Sequence, residues 1–166
     1  ANATAVYGAD GPGELHAAYA LSVSVDGVDS GLVDTVSGEA VLLRMNGDAV
    51  EGYIAAGDVV FELRLEDPTQ NLLALTQHRA VQHPDPDHPD ELLALAPGLI
   101  YLNFSAVATD GDGDSATSAS QWSVSENIGF RDDGPSLTLK VLGSGPLLQV
   151  DETTLGVPAS AGFSDA

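Results

Sequence analysis

Apolar side chains in this chain recur at every second position, in short runs cut by Gly, Pro, Asn and Asp. A period of two puts one face of a strand in a core and the other in solvent, and an amphipathic helix does not reproduce it. Ala17, Tyr19, Leu21, Val23 and Val25 alternate with Ala18, Ala20, Ser22 and Ser24. Val41, Leu43 and Met45 alternate with Ala40, Leu42 and Arg44, and Asn46-Gly47 then supplies the strongest short hairpin signal. Val59, Phe61, Leu63 and Leu65 face one way and Val60, Glu62, Arg64 and Glu66 the other. Asp67-Pro68-Thr69-Gln70 turns the chain into a return strand over 72–77.

Farther on, Ile100, Leu102, Phe104, Ala106 and Ala108 form one face of a long strand. Residues 116–124 form the next, with Trp122 and Val124 on its apolar side, and Leu137, Leu139 and Val141 a short one after a Gly-Pro break. About eight short strands separated by turn residues predict an all-β fold, an antiparallel β-sandwich of Ig-like, Greek-key type. Helical periodicity is weak: Asp90 to Ala96 reads as one turn of helix, stopped by Pro97-Gly98. Composition shifts at Gly134-Pro135. The expected organisation is therefore a sandwich module over 1–135. Over 136–166 it is a linker with the opening strand of a following unit, or the last strand of the same module. A start at Ala1 without methionine reads as an excised piece.

The chain carries 25 Asp+Glu against 5 Lys+Arg, a formal net charge of −20 over 166 residues. That balance excludes a basic nucleic-acid footprint and electrostatic docking on an anionic membrane. With 43% hydrophobic and only 18% charged residues, it is not a disordered acidic tail either. Unpaired carboxylates repel one another unless something compensates, and a divalent cation does so most economically. The absence of cysteine removes disulfides, thiolate zinc sites, iron–sulfur clusters and cysteine nucleophiles together. No stretch approaches the roughly 20 apolar residues of a membrane span, so direct membrane insertion is not expected.

The sharpest motif is Asp110-Gly111-Asp112-Gly113-Asp114, between two predicted strands. Its glycines let the backbone curl so that several oxygens converge, and calcium takes six to eight oxygen ligands. Metals that prefer sulfur or nitrogen would be poorly served. The spacing imitates the start of an EF-hand, but with Asp110 first the sixth position is Ser115 rather than Gly and the twelfth Gln121 rather than Glu. The flanks are also strands. Asp and Gly are equally the usual residues of a plain hairpin turn, and that reading stands beside the calcium one. Asp132, Asp133, Asp10, Asp151 and Glu152 are secondary candidates for the same cation, placed where consecutive units would join.

A second unusual segment, His83-Pro84-Asp85-Pro86-Asp87-His88-Pro89-Asp90-Glu91, combines two His with several carboxylates. Its three prolines hold it extended and spread the ligands, so it reads as a stiff acidic surface loop. His16 and His78 show no evident partner in the sequence. There is no Gly-x-Ser-x-Gly elbow, Walker loop or Gly-x-Gly-x-x-Gly, and no catalytic constellation stands out; an enzyme is not expected.

The run Ala106-Val107-Ala108-Thr109-Asp110-Gly111-Asp112-Gly113-Asp114-Ser115-Ala116-Thr117, followed by Phe130-Arg131-Asp132-Asp133-Gly134-Pro135, resembles a repeat domain of giant type I-secreted bacterial proteins, the RTX adhesins. Tyr7-Gly8-Ala9-Asp10-Gly11, Val150-Asp151-Glu152 and the middle segment Gln77-His78-Arg79-Ala80-Val81-Gln82-His83-Pro84-Asp85 share the resemblance, which covers about 7–135. It implies a secreted, bacterial cell-surface setting, calcium-dependent folding and a part in cell adhesion or biofilm formation. Calcium is scarce in the cytosol and abundant outside, so such a chain would cross its channel unfolded and fold on emergence. The Gly-Gly-x-Gly-x-Asp nonapeptide is missing, so a calcium β-roll is not expected. Members of this family include extender modules, whose partners are neighbouring modules of the same polypeptide. Others hold a ligand, including domains that grip a short peptide with help from bound calcium. The chain is therefore expected to be a calcium-binding structural extender or, alternatively, a calcium-dependent domain recognising a peptide or glycan on another cell.

Overall fold

The computed structural model describes residues 4–7, 9, 11–67, 72–85, 91–132, 141–142, 145–146, 148–151, 156 and 158–162. The first strands are β1 (Pro12–Val23), β2 (Val28–Val33), β3 (Ala40–Asn46), β4 (Ala49–Tyr53) and β5 (Val59–Asp67). They are followed by β6 (Leu72–Gln77), β7 (Leu92–Ala94), β8 (Ile100–Asp110) and β9 (Ser115–Ser123). A single 3-10 turn, Ser125–Asn127, leads into β10 (Ile128–Arg131). The last pieces are β11 (Val141–Leu142), β12 (Gly145–Pro146), β13 (Leu148–Asp151) and β14 (Pro158–Gly162). The predicted all-β antiparallel architecture is what the chain adopts, with the β10–β13 pair alone parallel among the described strands.

Strands β2 to β6 run as an antiparallel meander, with β14 added beside β6. The β3–β4 hairpin closes through Gly47 at φ 59°, a left-handed backbone that glycine adopts without steric penalty. After β6 the chain crosses to the opposite edge: Asp34 and Val81 form a bridge, Thr35 N–H donates to Ala80 and Gln82 N–H to Val33. The two ends of the meander thereby meet. β1, β8 and β9 make a second sheet, with β1–β8 in continuous register from Leu15↔Ala108 to Val23↔Ile100.

One core lies between the layers. Leu21, Ile100 and Leu102 from the three-stranded sheet pack with Val41, Leu43, Val50, Phe61, Leu63 and Leu75 from the larger one. Ile128 and Phe130 of β10 close its end, and the Phe61 and Phe130 rings lie 5.1 Å apart, tilted by 54°. The period-two reading places Val41, Leu43, Phe61 and Leu63 correctly, all fully buried, whereas Val60, read onto the face opposite Phe61, is fully buried as well. Gly52 is required by this packing, because a Cβ there would land in the ring of Phe61.

The expected helical turn near residues 90–96 is replaced by a strand. Leu92–Ala94 pairs antiparallel with β10, leaving Leu93 and Leu95 inward and Leu92 and Ala94 exposed. Seven residues cannot nucleate a helix stably, whereas an adjacent strand offers backbone partners at once. The strand predicted over 116–124 forms, but its apolar side is only partly covered: Val124 is in the core while Trp122 is 43% exposed. Val25 lies past the end of β1 and is 65% exposed. Leu137 and Leu139 lie outside the described residues. Among the described residues no helix is long and apolar enough to cross a membrane.

Candidate metal centre

The β8–β9 hairpin is built to gather carboxylates at its tip. Its strands pair without interruption from Tyr101↔Ser123 to Thr109↔Ser115, so the residues between them must reverse the chain in a tight turn. Gly113, at φ 100°, takes the backbone geometry that a side chain would resist. Asp110 N–H donates to Asp114 O at 3.0 Å and Gly113 N–H to Asp110 O at 3.3 Å. The Asp114 N–H donates to the Asp110 carboxylate, Oδ1, at 2.9 Å. From outside the turn, Gly111 N–H donates to Gly11 O at 3.2 Å, tying the tip to the segment that enters β1. Gly13 allows this approach, since a Cβ there would collide with the backbone oxygens of Thr109 and Asp110.

This geometry brings one carboxylate oxygen from each of Asp110, Asp112 and Asp114 within 4.8 Å of the others. Asp110 is half-buried and the other two are exposed. A hydrogen bond shared with Asp112, aided by the backbone N–H groups of residues 112–114, holds the Asp110 carboxyl below its ordinary range despite some desolvation. A compact, oxygen-only donor set with exposed members fits calcium, which tolerates irregular coordination and retains water.

The other sequence candidates are placed elsewhere. Asp132 follows β10, its N–H donating to Glu91 O at 3.1 Å, and it is not part of the three-aspartate group. Asp151 ends β13, paired with Arg131. Asp10, Asp133 and Glu152 lie outside the described residues, as do Asp87, His88 and Asp90 of the proline-rich segment. Asp85 N–H donates to Glu91 Oε2 at 3.2 Å. His16 does have a partner: its Nε2 is 2.8 Å from Glu14 Oε2 on the exposed surface of β1.

A second carboxylate centre was not legible as such. Asp34, wholly buried, receives Arg79 Nε on Oδ1 at 2.9 Å and Nη2 on Oδ2 at 2.8 Å. Ser37 adds its backbone N–H at 2.8 Å and its hydroxyl at 2.7 Å to Oδ2. The Arg79 hydrogen bonds are the main reason the Asp34 carboxyl lies far below the usual range, overcoming its desolvation. Arg79 also reaches Asp58 at 3.2 Å. This clamp fastens the chain after β6 to the end of β2. The available signal is scarcity: with only 5 Lys+Arg in the chain, each is a candidate partner for an acid that must be buried.

A family model described as a domain of unknown function, DUF5801, matches residues 1–122. No curated protein and no solved structure matches the chain.

Proposed function

We propose that this chain, which belongs to the DUF5801 family of domains of unknown function, is a calcium-binding β-sandwich module of a large bacterial surface adhesin. It acts as a structural extender that supports adhesion or biofilm formation, and it is secreted and not an enzyme. The observation that carries this reading is the convergence of the Asp110, Asp112 and Asp114 carboxylates at one hairpin tip in a chain of net charge −20. An ion there would cancel their repulsion and lock the β8–β9 turn against the entry to β1. Because it binds the folded turn and not the unfolded chain, it stabilises the fold by mass action. Asp132, Asp133, Asp10, Asp151 and Glu152 remain candidates for further ions at the ends of the module.

The exposure of Asp112 and Asp114 favours a second reading. An ion held at the tip keeps coordination positions open to solvent, where a carboxylate or hydroxyl of a peptide or sugar would enter. Both readings share one test. At a free calcium concentration 100 times the dissociation constant, binding adds about 2.7 kcal/mol, which raises the melting temperature by about 5–10 °C. Chelation reverses the gain, and Asp112→Ala removes most of it. A melting curve indifferent to calcium and to chelator refutes the calcium role. A glycan or peptide array probed with and without calcium separates extender from binder.

A further inference from the structure

The β1-β8-β9 sheet has two edges, and they are treated differently. On the β1 edge the strand opens with Pro12, its register breaks between Pro12 and Leu15, and the exposed Glu14 carboxylate is hydrogen-bonded to His16. Each of these discourages another strand from pairing there. The six-stranded sheet is likewise closed at its β2 end by the Asp34↔Val81 bridge. The outer edge of β9 has none of these protections. Its nine residues, Ser-Ala-Thr-Ser-Ala-Ser-Gln-Trp-Ser, hold no charge and no proline. They pair with β8 without a bulge, and no described strand lies on their other side. Every residue from Ser115 to Trp122 is exposed. A straight edge of this length, about 30 Å, is a template for strand addition.

The charges at its ends select the occupant. The three aspartates of the tip immediately precede Ser115, and Glu126, which accepts the Ser123 hydroxyl at 2.6 Å, follows the other end. A second copy of the chain is a poor occupant. Each copy carries a net charge of −20, and the same acidic residues flank β9 in both, so two copies repel as the edges approach. We infer that the free edge of β9 is a strand-addition site for an extended polypeptide segment that is uncharged through its middle and basic at both ends. Backbone hydrogen bonds along Ser115–Ser123 hold the segment, the end charges set its register, and Trp122 offers the apolar contact. A divalent ion on the three tip carboxylates would still leave that end net negative, so the basic end of the segment is favoured with or without it.

The test uses the full chain in calcium-containing buffer and the synthetic peptide KKTVTVTVTKK, with amide hydrogen exchange read residue by residue. Saturating peptide is expected to slow exchange at the outward amides of β9 by about tenfold or more. The same peptide N-methylated on alternate backbone amides keeps its charge but cannot pair, and is expected to leave those rates unchanged. EETVTVTVTEE is expected to bind at least about tenfold more weakly. Ala119→Lys, a charge at an exposed position mid-edge, is expected to abolish the protection. Equal protection by the N-methylated peptide would show mere charge attraction and overturn the inference. So would unchanged rates at β9, or β9 rates that fall with protein concentration alone, which would mark self-pairing.

Discussion

Replacing Arg79 by methionine tests whether the Asp34 clamp holds the two ends of the six-stranded meander together. Asp34 is 0% exposed and receives two charge-assisted hydrogen bonds from Arg79. Without the guanidinium the carboxylate has no water to turn to, and breaking a buried pair in this way costs about 3–5 kcal/mol. Ser37 still supplies two hydrogen bonds to Oδ2, so the loss for a stranded Asp34 falls at the low end, about 3 kcal/mol. For a chain of this size that lowers the melting temperature by about 6–12 °C. The converse change, Asp34→Asn, is milder, because Arg79 is 25% exposed and retains Asp58 at 3.2 Å; about half the shift is expected. The pH dependence has a definite sign. A carboxyl held below its unfolded value stabilises the fold above the unfolded pKa, about 3.9, and loses that contribution as pH falls from there toward the folded value. The gap between the natural chain and Arg79→Met is therefore full at pH 7 and narrows below about pH 4. Calorimetry at both pH values checks it. An Arg79→Met melting temperature within about 2 °C of the natural chain at pH 7, or a larger loss for Asp34→Asn, would refute the reasoning.

Two further substitutions probe the core that carries the hairpin. Gly52→Ala places a methyl against the fully buried Phe61 ring and is expected to destabilise by about 2–3 kcal/mol, read as a lower urea midpoint with an unchanged slope. Ser125→Ala removes the buried hydroxyl that accepts Leu99 N–H at 3.0 Å and Ile100 N–H at 2.7 Å; with two donors orphaned at the start of β8, about 2–3 kcal/mol is expected to be lost, read as a lower urea midpoint.

The sheets were legible because alternation is a local property that survives tertiary context when one face is buried. Val41-Leu42-Leu43 and Phe61-Glu62-Leu63 are oriented as their pattern requires. The errors come from information that lies elsewhere in the chain. Leu92–Ala94 becomes a strand only because Gly129, Phe130 and Arg131 are beside it, and no pattern within residues 90–96 records that neighbour. Trp122 sits on the side facing the core in register with Leu102, yet is left partly uncovered because coverage depends on how far the opposite sheet extends. The tip aspartates could be named in advance because one short turn holds all three. Asp34 could not be matched to Arg79, since 45 residues separate them and neither neighbourhood announces the other.

The distribution of the few cations connects these points. Arg44 pairs with Glu51 at 2.7 Å, Arg64 with Glu62, and Arg79 with Asp34 and Asp58. All of these lie on the six-stranded sheet or on the segment that closes it. Glu51 is held below its ordinary range there, first by Asn46 and then by Arg44. Among the described residues no Lys or Arg pairs with the 110–114 turn, whereas Asp34, Glu51, Asp58 and Glu62 of the other layer each have an arginine partner. Three carboxylates with no Lys or Arg partner among the described residues, gathered at the end of a strand edge that holds no charge and no proline, make that corner of the molecule a place where a positive partner gains.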